Sequence, residues 1–189
     1  MKFFGDEGRR LVDDGSGCIT YRPHFLDETE AQRAFQALRS SVVWHRERRL
    51  MYDREVEVPR LTAHYRLGAL MPGPLPELFV RVREAASAPF NSVGLNLYRD
   101  ERDSVAPHND HLSEIAPRYP IALVSLGETR LMTIRSKERP RRAFDIDLEP
   151  GSLLTMSYET QRAYDHGIPK QRRRMGSRMS VVFRVRPED

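Results

Sequence analysis

The chain has 189 residues and one cysteine, Cys18, enough for a single domain with a sizeable core and too few thiols for an internal disulfide or a thiolate-rich zinc site. Its net charge is +4 and its pI about 9.4, with 31% charged and 39% hydrophobic residues, which points to a folded globular protein, not a disordered one, and admits a polyanionic partner. No apolar run approaches the roughly 20 residues that cross a bilayer, and MKFFGDEGRRLVDDG lacks the apolar stretch of a signal peptide, so a cytoplasmic protein without a membrane partner is expected.

Taken in chain order, residues 27–39 read as a helix. Asp27 can cap it, Glu30 completes a D-x-x-E capping box, and Ala31, Phe35, Leu38 and Val42 form an apolar stripe. The segment MPGPLP (71–76) reads as a turn or loop. Residues 75–86 read as a second helix with Leu75, Leu78, Phe79, Val82 and Ala86 on one side, and Pro89 bars its continuation. Trp44 is expected in the core between helix and sheet. After Phe90 the pattern changes to short alternating strands at 92–99, 120–126, 130–135, 143–148, 151–156 and 178–185. Turn signals separate them at Gly127, Arg139–Pro140, Pro150–Gly151 and Gly167. Two helices followed by many strands fit an α+β fold: an antiparallel double-sheet jelly-roll barrel with the helices packed on one sheet. One domain over 1–189 is expected, with the helices within residues 1–89 and the strand-built jelly-roll core over 90–186.

The segment Pro107-His108-Asn109-Asp110 carries an H-x-D pair, and His166 follows 58 residues after His108. Two imidazoles and a carboxylate on one face of a metal leave positions open, as in non-haem iron(II) oxygenases. On extended backbone His108 and Asp110 point the same way. His111 competes for the ligand role but falls out of phase with them. Taken alone, an H-x-D pair is more often a surface feature. The C-terminal RMSVVFR says more: Arg178, Ser180, Val182 and Arg184 alternate with Met179, Val181 and Phe183. The arginine face is either the solvent side of an amphipathic strand or an inward pair of guanidinium groups suited to a small dicarboxylate. In GLNLYRD, Asn96 and Tyr98 share a face in the same manner, and if that face is interior they need polar partners.

Together these residues resemble the AlkB family of oxidative dealkylases: Asn96-x-Tyr98, His108-x-Asp110, a distant His166, then Arg178-x5-Arg184. FNSVGLNLYRD, APRYPIALVSLG and EPGSLLTMSYETQRAYDHGIP are similar to that family's catalytic barrel, and VPRLTAHY (58–65) to the start of its nucleotide-recognition lid. The resemblance covers roughly residues 20–186. It implies that His108, Asp110 and His166 bind Fe(II). It implies that Arg178, Tyr98 and Ser180 hold the distal carboxylate of 2-oxoglutarate, with Arg184 and Asn96 near its chelating end. Dioxygen is then the co-substrate, with ascorbate as an auxiliary reductant, and the reaction hydroxylates an N-alkyl group of a damaged nucleobase to release an aldehyde in DNA or RNA repair. Tyr52, Arg60, His64 and Tyr65 would lie near the nucleic acid. No obligate protein partner is implied.

Three departures from the family pattern stand out: Ser180 and Val182 where many members have Asn and Thr, Leu112 where an acidic residue often reads the base, and RLGALMPGPLP where a second aromatic stretch usually continues the lid. They leave open a dioxygenase of the same fold acting on a protein side chain or small molecule; a catalytically silent nucleic-acid-binding module is a further alternative. Basic clusters at Arg46–Arg49, Arg135–Arg142 and Lys170–Arg174 are either phosphate-contacting patches or solvated loops.

Overall fold

The structure is a computed structural model that describes residues 8–51 and 54–187. In chain order these form β1 (Arg9–Asp14), β2 (Gly17–Arg22), α1 (Glu28–Ser41), β3 (His45–Met51), β4 (Arg54–Arg66), α2 (Leu75–Ala86), β5 (Ser92–Tyr98) and β6 (Val105–His108). A 3-10 turn (Leu112–Glu114) leads to β7 (Ile121–Gly127), β8 (Arg130–Ser136), β9 (Ala143–Leu148), β10 (Leu153–Met156), α3 (Thr160–Ala163), β11 (Tyr164–Ile168) and β12 (Arg178–Arg184).

The strands make two antiparallel sheets, the expected jelly roll. The larger runs β1-β2-β10-β7-β12-β5-β4-β3 and the smaller β6-β11-β8-β9. Both helices form as their sequences dictate. Asp27 accepts from the Glu30 backbone N–H at 2.8 Å, and the Glu30 carboxylate accepts from the Asp27 N–H at 3.0 Å, so two of the orphan donors at the start of α1 are satisfied. Helix α2 starts just after Pro74 and ends at Ser87, whose left-handed conformation (φ 48°) turns the chain.

The two helices cover the outer face of the larger sheet. Ala31, Phe35 and Leu38 of α1 and Leu75, Leu78, Phe79 and Val82 of α2 pack there on Ala122, Val124 and Leu126 of β7 and on Met179, Val181 and Phe183 of β12. The rings of Phe79 and Phe183 meet edge to face at 5.3 Å. Each of these buried aliphatic or aromatic side chains contributes roughly 1.5–3 kcal/mol, which fixes the face that β12 gives to the helices. Since side chains on a strand alternate, the same packing commits Arg178, Ser180, Val182 and Arg184 to the barrel interior. A second core between the sheets, including Tyr98, Ile121, Leu123, Ile134, Leu148 and Ile168, lines that interior.

The structure differs from expectation chiefly before residue 90. Four strands precede it: β1 and β2 extend the larger sheet beyond β10, and β3 and β4 extend it beyond β5. Both outermost strands, RRLVDD and HRERRLM, are edges. Edge strands tolerate charge on both faces, so the period-2 hydrophobic signal is missing there. The short β6 and β11, four and five residues long, supply the extended backbone that the alignment of His108 with His166 requires. Trp44 packs against the helix-side core and donates its Nε1–H to the Arg39 carbonyl at 3.2 Å.

Candidate metal and cosubstrate site

Strands β6 and β11 pair in the smaller sheet with His108 directly opposite His166, and their ring centroids are 4.6 Å apart. Gly167 makes this approach possible: a Cβ there would lie 3.0 Å from both the Val105 carbonyl oxygen and the Pro107 nitrogen. The Ala106 carbonyl can only accept, so His108 donates to it through Nδ1 at 2.9 Å and its Nε2 keeps a free lone pair. Asp110 follows on the loop beyond β6, held by its own N–H donating to the Gln161 side-chain oxygen at 3.0 Å. The donor atoms of His108, Asp110 and His166 all lie within 4.8 Å of one another, a group able to hold a metal ion.

Electrostatics prepares these groups as ligands. Burial, helped by the neighbouring His108, pushes the His166 imidazole down to about 4, so it is neutral at physiological pH. Burial would raise the Asp110 carboxyl, but the Arg184 guanidinium that ion-pairs with it, aided by both histidines, outweighs burial and keeps it below the usual carboxylate range. Two imidazoles and one carboxylate, with open space on one side, match the donor set of a non-haem iron(II) centre.

Behind this group lies a buried cationic pocket. Strand β12 pairs with β5 so that Arg178 faces Tyr98 and Ser180 faces Asn96. Arg178 is 0% exposed, and its Cζ lies 5.2 Å from the Tyr98 ring centroid. Its Nε donates to Ser125 Oγ at 3.2 Å, while Nη1 and Nη2 are buried with no partner. Burial pushes this guanidinium down to about 10. Two parallel orphaned N–H groups fit the two oxygens of a carboxylate. A narrow cavity of about 50 Å³ leads from Arg178 and Ser180 past Asn96 to His108 and His166. It opens into a chamber of about 760 Å³ that shares Arg60, Asn96, His108 and Arg184 with it.

Strand β4 roofs the chamber. Arg60, Thr62 and His64 face inward, and the Arg60 Nε donates to the Asn96 side-chain oxygen at 2.9 Å. Gly94 on the adjacent strand leaves room for His64: a Cβ would lie 3.1 Å from its Nδ1. Burial, helped by Arg184 and Arg186 and opposed by Glu47, lowers the His64 pKa.

Not every residue singled out in the sequence reaches this chamber. Tyr65 points to the opposite face of β4 and packs against the helix-side core with Leu61 and Ala63. Alternation explains this: Tyr65 is out of phase with His64, and only one of the two can face inward. Leu112 packs on the core between the sheets, whereas His111 and Glu114 line the chamber. Tyr52 lies outside the described residues.

Other participants gave no sequence signal. Arg130 is 0% exposed and donates to the backbone carbonyls of Asp100 (3.0 Å), Asp103 (2.9 Å) and Pro169 (3.0 Å). It thereby fastens the segments just before β6 and just after β11, the two strands that carry His108 and His166. Glu47 of β3 accepts from Thr62 Oγ1 at 2.8 Å at the chamber wall. Gln161 and Lys137 hold the loop of Asp110 from the other side.

The comparisons with known proteins agree with this geometry. The model of the 2OG-Fe(II) oxygenase superfamily matches residues 18–184. The alpha-ketoglutarate-dependent dioxygenase alkB homolog 3 of Mus musculus is 33% identical over 93% of this chain and 68% of its own length. The chain belongs to the AlkB-type 2OG-Fe(II) oxygenases. This oxygenase is also 29% identical to the human DNA oxidative demethylase ALKBH2, over 95% of this chain and 77% of that protein. The solved structure of OsALKBH1 superposes with a TM-score of 0.62 over 88% of this chain and 97% of that one, at 16% identity, a likeness of fold. Membership implies Fe(II) and 2-oxoglutarate as cofactors, and the His-Asp-His group and the orphaned Arg178 guanidinium of this oxygenase fit them. No helix among the described residues is long and apolar enough to cross a membrane.

Proposed function

We propose that this dioxygenase oxidatively removes alkyl groups from nucleobases of DNA or RNA, as an alkylation-repair enzyme. The observation that carries the reading is the chamber of about 760 Å³ beside His108 and Asp110, roofed by the Arg60–His64 face of β4. Ligand sites span roughly 300–1,000 Å³, so a flipped base with its alkyl group fits here. When bound, Fe(II), 2-oxoglutarate and dioxygen supply the oxidation that hydroxylates the alkyl carbon, after which the adduct releases an aldehyde. The protein's own part is positioning. His108, Asp110 and His166 hold the metal on the barrel side of the chamber. Arg178, with Tyr98 and Ser180, receives the distal carboxylate of 2-oxoglutarate, while Asn96 and Arg184 flank its chelating end. Arg60 and His64 face the incoming base. Ascorbate serves as an auxiliary reductant. Incubation with a panel of methylated oligonucleotides followed by mass spectrometry of the bases tests the reading. Demethylation that requires both iron and 2-oxoglutarate is expected, and no base altered by a protein that turns over 2-oxoglutarate would overturn it.

The basic clusters do not contribute equally. Arg46 and Arg48 of β3 form ion pairs with Glu57 (3.5 Å) and Glu55 (3.2 Å) on β4, so this edge of the larger sheet is locally balanced. Arg139 and Arg142 share a surface groove with Asp14, Glu138 and Glu159. Lys170, Arg172, Arg173 and Arg174 are exposed and enter no ion pair among the described residues. Phosphate contact is therefore assigned to the last cluster. Replacing Arg172, Arg173 and Arg174 together by glutamine is expected to weaken binding of methylated and unmethylated strands alike, because phosphate contacts do not read bases. It should also flatten the salt dependence, by up to about 0.7–0.9 for each phosphate that the variant no longer neutralises. Fluorescence anisotropy across a salt series measures both.

The balanced charges on β3 and β4, together with Leu112, favour a second reading: a dioxygenase of the same fold acting on a protein side chain or small molecule. Unaltered affinity and salt slope in the triple variant would shift preference to it.

A further inference from the structure

Asp110 sits where regular structure gives it no support. Strand β6 ends at His108, so the peptide groups of Asp110 have no place in the sheet ladder. Side chains hold them instead. The Asp110 N–H donates to Gln161 Oε1 at 3.0 Å, and its carbonyl accepts from Asn109 Nδ2 at 2.9 Å. Gln161 is 1% exposed, and its Nε2 donates to Thr160 Oγ1 at 3.3 Å, which fixes the amide's orientation.

One ammonium group ties these supports together. Lys137, on the turn after β8, donates through Nζ to Asn109 Oδ1 at 2.7 Å and to the Gln161 carbonyl at 3.0 Å, and lies 3.4 Å from Asp165 Oδ1. An ammonium has three donors, and these three acceptors come from three segments: the loop between the first two ligands, α3, and the residue next to His166. The backbone of the turn is docked as well, with the Lys137 N–H donating to the Ala163 carbonyl at 2.8 Å.

We infer that Lys137, through Asn109 and Gln161, is a positioning residue that sets the metal affinity of the His108–Asp110–His166 group. The inference rests on the metal-site reading above. Lys137 touches none of the three ligands. It fixes the loop that delivers Asp110 relative to the strand that delivers His166. The ion pair with Asp165, whose two side chains are 33% and 32% exposed, adds little to folding stability. Groups that orient metal ligands from behind commonly change metal affinity by roughly 10- to 100-fold when removed. Small effect on stability and large effect on metal affinity is the signature that separates positioning from a merely structural role.

The test uses Co(II) as the probe, titrated into metal-free protein and followed by its visible ligand-field spectrum. Lys137→Met and Asn109→Ala are each expected to weaken Co(II) binding by about 10- to 100-fold, with only the small drop in the thermal midpoint of the metal-free protein that loss of partly buried hydrogen bonds brings. The double variant should be weaker by less than the product of the two single effects, because both substitutions remove the Lys137–Asn109 hydrogen bond. A wild-type protein that takes up no Co(II) removes the metal site and this inference with it. Wild-type uptake with unchanged affinity in both single variants, or a lowered midpoint without a change in affinity, overturns this inference alone.

Discussion

The Arg178→Met protein is expected to lose 2-oxoglutarate binding and yet to melt at or above the temperature of the unsubstituted protein. Arg178 is fully buried, and Nη1 and Nη2 have no partner. Leaving such a donor unsatisfied costs roughly 1–3 kcal/mol, more for a charged group, and methionine removes that cost while filling most of the volume. The substitution gives up the 3.2 Å hydrogen bond to Ser125, whose hydroxyl keeps its own bond to the Leu148 carbonyl. A stabilising loss of function is what a site held in readiness for a carboxylate predicts. Arg178→Lys keeps the charge but cannot reproduce a planar two-point contact. Charge-assisted hydrogen bonds are worth roughly 1.5–3 kcal/mol, so its 2-oxoglutarate affinity should fall about ten- to hundredfold. Calorimetric titration of 2-oxoglutarate and a thermal melt of the ligand-free protein check the two halves. Unchanged affinity in the lysine variant would make Arg178 a structural residue.

Asp110→Ala should abolish both metal uptake and iron-dependent turnover of 2-oxoglutarate, while His111→Ala retains them. Asp110 supplies the single carboxylate of the donor group, and its charge is maintained against burial by Arg184. Alanine leaves two imidazoles and an unmatched guanidinium facing the metal position, which repels a dication. His111 is exposed and precedes the 3-10 turn at Leu112–Glu114, outside the donor group. Succinate formation and metal content, measured on the same preparations, decide the point. Near-normal turnover in Asp110→Ala combined with loss in His111→Ala would reassign the carboxylate position.

The legibility of this chain followed from how local each determinant was. The capping box of α1 and the alternation of RMSVVFR are short-range patterns, and the structure shows them as expected, with Met179, Val181 and Phe183 against the helices. The inward direction of Arg178 was ambiguous in sequence, because an arginine row opposite an apolar row also describes a solvent face. The helices resolve it by claiming the apolar row. Strands β1 and β3 are edge strands rich in charged residues and carry no period-2 signal in the sequence. The resemblance implies that His64 and Tyr65 both lie near the nucleic acid, yet the pleat separates them. Arg130, Lys137 and Gln161 were illegible for a different reason. Their partners are mainly backbone groups 24 to 51 residues away, and such pairings leave no local pattern.

The central claim is that this barrel couples 2-oxoglutarate oxidation to removal of an alkyl group from a nucleobase. The most direct measurement is the ratio of succinate formed to base restored, with a single-stranded oligonucleotide carrying one N-methylated base, in the presence and absence of iron. The account predicts that adding the methylated oligonucleotide accelerates succinate formation, and that each base restored is matched by one aldehyde and at least one succinate, with none of the three formed without iron. Iron-dependent succinate formation that proceeds equally with methylated and unmethylated strands, and restores no base, would contradict it.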